Sequence, residues 1–241
     1  LTSFGGKGVF TKELEEALLR EEIDLAVHSA KDMPMEFPEG LGIGAVLSRA
    51  DVRDVLVTTS GTRAADLAPG SVVGTSSLRR ELQIKEINPL VKIRLLRGNV
   101  QTRLRKLKEG QYDAILLAAA GLERLGITEE DGICLEYLEP DAFLPAAGQG
   151  ILAVESKEGR LTEVLQAIHC PEAALELAAE RSFLKAIGGS CNAPAAGLCR
   201  MAEGKLHMKV LYAPEAGKLH FAEGSCMLEG ADRTEKDAAR T

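Results

Sequence analysis

Apolar residues recur along the first half of this chain with helix-like and strand-like spacing in alternation. Thr11 precedes a stretch in which Leu14, Ala17 and Leu18 share a helical face, which predicts a capped helix from Thr11 to about Glu22. "IDLAVHS" (23–29) then reads as a short buried strand, and "GIGAVLS" (42–48) and "DVLVTT" (54–59) read alike. "SVVGTSS" (71–77) is a strand turning into a helix that begins near Leu78. "VKIRLL" (91–96) is a strand, and "NVQTRLRKLKEG" (99–110) is a helix closed by Gly110. "YDAILLA" (112–118) is a strand, followed by a short helix that ends at Gly126. Strands alternating with helices predict parallel α/β layers.

The pattern changes toward the C-terminus. "PAAGQGILAVES" (145–156) clusters Gly and Pro and reads as a crossover between domains. "PEAALELAAERSFLKAIGG" (171–189) is a long amphipathic helix with a Gly-Gly stop. Three short strands follow, "AGLCRMA", "KLHMKVLYA" and "KLHFAEGSCML", parted by turn sequences. They predict an antiparallel meander and a small α+β domain from about residue 170.

With 241 residues and 45% hydrophobic content, the chain can bury a sizeable core. Its net charge of −7 argues against bulk attraction to nucleic acid or anionic membrane, and 4% aromatics leave few stacking platforms for bases. The longest apolar run, Ala114 to Ala120, has seven residues, far short of the roughly 18 that a membrane span needs. No secretory signal pattern opens the sequence. Five widely spaced cysteines form no C-x-x-C pair, which weakens a zinc reading and makes free thiols the expectation.

Charge is unevenly distributed. Between Thr75 and Lys108 the local net charge is +8. Lys106 and Lys108 read as a solvated helix face. Arg79, Arg97 and Arg103 stand at strand-to-helix junctions, where open α/β sheets place their ligands. In "VVGTSSLRR", Gly74 lets backbone approach a ligand closely, and Thr75, Ser76 and Ser77 offer hydroxyls and N–H groups at a helix N-terminus. An ordinary Ser/Thr cap explains the same residues. Together with "RGNVQTR" (97–103) they suggest a site for several carboxylates or phosphates. "HSAKDMP" (28–34) puts Ser29, Lys31 and Asp32 at a strand's carboxyl end, where a carboxylate can relay a proton or stabilise a cation. An Asp–Lys surface pair before a proline turn is the bland reading of that string, and His28 reads as a half-buried structural histidine. Cys191 in "GGSCNAPAAG" follows a helix C-terminus, so no helix dipole lowers its pKa; on local chemistry it is an ordinary loop thiol.

"HSAKDMP", "GTSSLRR", "LRGNVQTRL", "AAAGLERLG", "LPAAGQG" and "GGSCNAPAAG", in this order, resemble the porphobilinogen deaminase (hydroxymethylbilane synthase) family over nearly the whole chain. The resemblance implies an enzyme that joins four porphobilinogen units head to tail with release of ammonia. It implies a dipyrromethane cofactor held by a thioether to Cys191, and a catalytic carboxylate at Asp32. Arg79, Arg80, Arg97, Arg103, Arg124 and Arg181 match arginines that hold acetate and propionate groups. Ser29, Lys31, Thr75 and Ser77, with Asp32, Arg79 and Arg80, match cofactor contacts.

The implied fold has two α/β domains like those of periplasmic binding proteins and a small C-terminal α+β domain. Residues 1–50 with 143–168 would form the first, 51–142 the second and 169–241 the third. A cytoplasmic monomer is the implied setting, with a small-molecule substrate and neither nucleic acid nor membrane as partner. The chemistry agrees: each pyrrole unit carries two carboxylates, and loss of ammonia leaves a methylene-pyrrole cation that a carboxylate favours. Such a cation is electrophilic enough for an unactivated thiol.

The family's N-terminal "GTRxSxLAxxQ"-type motif and its final helix are not found here, and Ser3 stands where a basic residue is frequent. A chain truly starting at Leu1 is expected to fold its first domain poorly and to show little activity. A non-enzymatic two-lobed binding protein for a polycarboxylate is the alternative, and it gives Cys191 no role.

Overall fold

The computed structural model describes residues 7–188, 194–214 and 218–227, with the side chains of 7–10 excepted. Three sheets organise these residues. The first has the order β1 (Leu25–Ser29), β8 (Leu152–Lys157), β2 (Leu41–Val46). The second has the order β5 (Lys92–Arg94), β4 (Val72–Gly74), β6 (Ala114–Ala118), β3 (Asp54–Thr58), β7 (Cys134–Leu138). The third is the meander β9 (Ala195–Ala202), β10 (Lys205–Tyr212), β11 (His220–Met227), antiparallel throughout as the turn sequences imply.

The expectation of parallel layers holds only in part. β4 runs parallel to β5 and β6, but β3 is antiparallel to β6 and β7. In the first sheet β8 is antiparallel to both neighbours. The cause is the crossing of the chain between the two sheets. One crossover (47–53) leaves the first sheet and delivers β3. The other (139–151) leaves β7 and delivers β8, so each sheet receives a strand of opposite direction. Only the first half of 145–156 is thus a crossover; the second half is the central strand β8, whose Glu155 interrupts the apolar pattern.

Strand alternation explains how one apolar run serves two cores. In β3, Val55 and Val57 face one side and Leu56 the other; in β6, Ile115 and Leu117 oppose Ala114 and Leu116. Helix α3 (Val100–Lys108) covers the first side through Leu104 and Leu107, and helix α2 (Leu78–Ile87) covers the second through Ile84. The short helix α4 (Ala119–Arg124) adds Leu122 to the α3 side. Helix α6 (Pro171–Ala186) packs Ala173 and Leu177 against Val46, Ile151 and Ala153 of the first sheet region. The third sheet closes on the crossovers, with Ala196, Leu198 and Leu211 against Val52 and Leu144.

Several boundaries move for identifiable reasons. Helix α1 (Lys7–Leu19) begins a turn before Thr11 and ends where Glu21 adopts a φ of 59° and Glu22 N–H bonds to Ala17 O at 2.9 Å. Strand β7 and helix α5 (Thr162–Ile168) carry too weak a period to be seen in sequence. Helix α6 stops at Ala186, and Gly188 follows with a φ of +94°. Packing alone accounts for Gly74: an added Cβ would lie 2.8 Å from Tyr112 and 3.0 Å from Ile115.

Candidate active site

β1 runs directly into a 3-10 turn, Ala30–Asp32, so Lys31 and Asp32 sit at the carboxyl end of the first sheet. β4 runs into α2, whose N-cap is Ser77. The two strand ends come together across the crossovers. Lys31 is half-buried there and donates through Nζ to Gln149 Oε1 at 3.2 Å. Its pKa falls to about 8, chiefly through burial and then through Arg80. Asp32 is exposed at the tip of the turn and acts electrostatically on both Lys31 and Arg103.

Arg79 and Arg80 are buried, and both pair with Asp54 at the head of β3. Arg79 Nη1 lies 2.7 Å from Asp54 Oδ2 and also donates to Leu144 O at 2.7 Å. Arg80 donates through Nε to Asp54 Oδ1 at 2.9 Å and through Nη1 to Leu116 O at 2.8 Å. Burial acts to raise the Asp54 pKa, but the two guanidiniums outweigh it and hold the carboxyl well below the usual range. Arg103 donates through Nε to Gly98 O at 2.7 Å, and burial followed by the nearby Arg80 lowers its pKa.

The hydroxyls of Thr75 and Ser77 serve the chain itself. Thr75 Oγ1 accepts from Ser77 N–H at 3.1 Å, and Ser77 Oγ accepts from Arg80 N–H at 3.4 Å. The capping role weighed from the sequence is what these acceptors perform, and each O–H remains able to donate. Ser29 ends β1 half-buried, with no side-chain cap bond to the turn. Arg97 is exposed in the loop before α3. Arg124 is also exposed and donates to Gly150 O at 2.7 Å. Arg181 donates to Pro34 O at 2.6 Å and to Met35 O at 3.2 Å, and lies 5.7 Å from the Phe37 ring. Cys191 lies outside the described residues.

The structure therefore brings Lys31, Asp32, Arg79, Arg80 and Arg103 within electrostatic reach of one another, and it anchors Arg124 beside Gln149 through Gly150 O and Arg181 on the carbonyls that follow Asp32. The +8 window divides: Lys85 and Arg105 form exposed pairs with Glu81 and Glu109, and Arg94 stacks over Tyr112. Cations outnumber anions in this cluster, and among the described residues the acceptor of Lys31 Nζ is the neutral Gln149 Oε1. A ligand bearing several carboxylates fits that surplus. His28 is structural as expected, with Nε2 2.8 Å from the buried Glu155.

Sequence reasoning missed three residues of this centre. Asp54 is a charged residue opening an otherwise apolar strand, a signal that it needs a buried partner. Gln149 lies between glycines. Arg49 meets Glu176 at 3.2 Å and Glu180 at 2.6 Å, joining a crossover to α6, and nothing in the local pattern announces it.

Residues 1–164 match the family model described as "Porphobilinogen deaminase, dipyromethane cofactor binding domain". The porphobilinogen deaminase of Syntrophobacter fumaroxidans is 47% identical over 223 residues, covering 92% of this chain and 71% of that protein. That of Halalkalibacterium halodurans is 45% identical over 235 residues, covering 96% of this chain and 74% of that protein. Among solved structures, a double mutant of the VFT2 domain of Bordetella pertussis BvgS is 20% identical with a TM-score of 0.42, covering 71% of this chain and 72% of that one.

Proposed function

Because the chain belongs to the porphobilinogen deaminase family, we propose that its chemistry takes place in the cleft between the first two sheets, with Asp32 as the acid–base group. The activity is that of a transferase in tetrapyrrole biosynthesis. It joins four porphobilinogen units head to tail, releases ammonia and yields hydroxymethylbilane. When bound, the dipyrromethane cofactor supplies the pyrrole end from which the product grows.

The observation that carries the reading is the convergence of Lys31, Arg79, Arg80 and Arg103 beside Asp32. Lys31, Arg79 and Arg80 would hold the cofactor's carboxylates, Arg103 would hold a substrate carboxylate, and Ser29, Thr75 and Ser77 would donate hydroxyl bonds to the cofactor. Arg97, Arg124 and Arg181 would grip acetate and propionate groups farther along the chain of pyrroles. Cys191 would be the thioether anchor. A proton moves between the Asp32 carboxyl and the pyrrole nitrogens or the leaving amine. The same carboxylate, when ionised, favours the methylene-pyrrole cation that substrate deamination leaves.

Residues 1–50 with 143–168, 51–142 and 169–241 form three domains in this reading, and the three sheets support that division. The free thiols of Cys134, Cys170, Cys199 and Cys226 support a reducing, cytoplasmic setting. Among the described residues no helix is long and apolar enough to cross a membrane. The net charge of −7 supports a monomer that avoids nucleic acid. The polycarboxylate-binding alternative has no observation of its own in its favour.

Intact mass and ammonia release test the reading together. The native chain is expected to carry a dipyrromethane that Cys191→Ser lacks. Asp32→Asn is expected to keep that mass while releasing ammonia from porphobilinogen about 10²–10⁴-fold more slowly. A native chain of unmodified mass, or near-normal turnover in Asp32→Asn, overturns the assignment.

A further inference from the structure

Gln149 is 1% exposed, and its side chain bonds to residues next to both of the first two sheets. Its Oε1 accepts from Lys31 Nζ at 3.2 Å, on the first-sheet side. Its Nε2 donates to Val52 O at 2.8 Å and to Asp54 Oδ1 at 3.2 Å, on the second-sheet side. A single neutral amide thus stands between Lys31 and the buried Asp54 carboxylate, and bonds to each. Asp54 is itself held by Arg79 and Arg80.

The chain fixes this amide firmly. Gly148 and Gly150 both adopt left-handed conformations, with φ of +74° and +90°. A Cβ at Gly148 would lie 2.9 Å from Lys31 N, and one at Gly150 would lie 2.6 Å from Ala50 O. Gly148 N–H donates to Glu180 Oε2 at 2.6 Å, and Gln149 O accepts from Arg49 Nε at 3.0 Å. Gln149 is therefore pinned from α6 and from both crossovers before its side chain bonds to anything.

We propose that Gln149 is a positioning residue: a neutral bridge that keeps the Lys31 ammonium and the Asp54 carboxylate from pairing directly, and so reserves the Lys31 charge for an incoming carboxylate. The inference rests on the deaminase reading of the cleft. Glutamate would fill the same space but would claim the ammonium for itself. Lys31 faces Asp32 on its own turn, Asp54 on β3, and Arg79 and Arg80 on α2. Burial first, and then the arginines, hold its pKa below the ordinary lysine value despite the opposing pull of Asp32 and Asp54.

The test uses the full-length Cys191→Ser chain with lysine labelled at the ε-carbon and Lys31 assigned by Lys31→Arg. The Lys31 resonance is expected to titrate near 8. Gln149→Glu should raise that midpoint by about one unit or more, the size an adjacent opposite charge gives. It should weaken porphobilinogen binding, read by calorimetry, by about tenfold, as a charge-assisted contact is worth. The unsubstituted glutamine should also show proton uptake when porphobilinogen binds at pH 8, a measurement that does not depend on the variant folding. An unmoved Lys31 midpoint with porphobilinogen affinity within about twofold of the parent overturns the bridge, as does absent proton uptake. If the parent chain binds no porphobilinogen and the native chain carries no dipyrromethane mass, the deaminase reading fails instead.

Discussion

Cys199 is a thiol whose chemistry the fold suppresses. It is fully buried in β9, and its pKa is pushed up to about 12 by burial first and then by the Glu180 and Glu176 carboxylates. Its own N–H donates to Glu180 Oε1 at 2.7 Å, so the residue cannot turn outward without breaking a buried bond. Cys226, by contrast, is exposed. The thiolate is the reactive form, so iodoacetamide at pH 8 is expected to alkylate Cys226 in the folded protein and to leave Cys199 untouched until the chain is unfolded. The difference in rate should be about two orders of magnitude or more, read by peptide mass. Comparable rates in the folded state would show that the burial of β9 is wrong. The result also matters for the anchor, because it separates an inert structural thiol from the one expected to carry the cofactor.

Elements explain what the sequence revealed and what it hid. The helices with clear caps and periods are where the pattern places them: α2 starts after Ser77, and α3 starts after Asn99, whose Oδ1 accepts from Thr102 N–H at 2.9 Å. The strand ends that carry Asp32 and Thr75 were legible for the same reason, since a buried strand running into a polar turn has a local signature. Asp54, Gln149 and Arg49 were not, because each is defined by partners far away in sequence. Glu180 shows the point most fully: it accepts from Arg49 of one crossover, Gly148 of the other and Cys199 of the third sheet. Burial acts to lower the Arg49 pKa, but the two carboxylates outweigh it and the guanidinium stays charged. Removing one partner strands the other in the interior. Arg49→Ala is therefore expected to destabilise the protein by about 3–5 kcal/mol in chemical denaturation. A loss under about 1 kcal/mol, the scale of an exposed pair, would mean that this junction contributes little to joining α6 and the crossovers.

For the whole molecule, the cleft's function and its stability pull against each other through Lys31. The folded chain holds this lysine near 8, against an ordinary value of 10.5. Below pH 8 both folded and unfolded chains bind its proton, and the folded state bears a desolvation cost that Asp32 and Asp54 offset only in part. Between about 8 and 10.5 the unfolded chain still binds the proton while the folded chain has released it, so this group's contribution makes stability rise with pH across that window. In the Cys191→Ser chain, Lys31→Met is thus expected to raise the melting temperature at pH 7, and the gain should shrink steadily from pH 8 toward 10.5. A gain that is independent of pH would assign the effect to packing and remove the charge argument. On the proposed reading, a cofactor carboxylate beside Lys31 in the native chain would add a partner for the ammonium and raise its pKa. There Lys31→Met should lose its benefit at pH 7 and become neutral or destabilising. Melting curves of the two backgrounds at pH 7 and pH 9.5 decide whether the charge that weakens the empty cleft is the charge that holds the ligand.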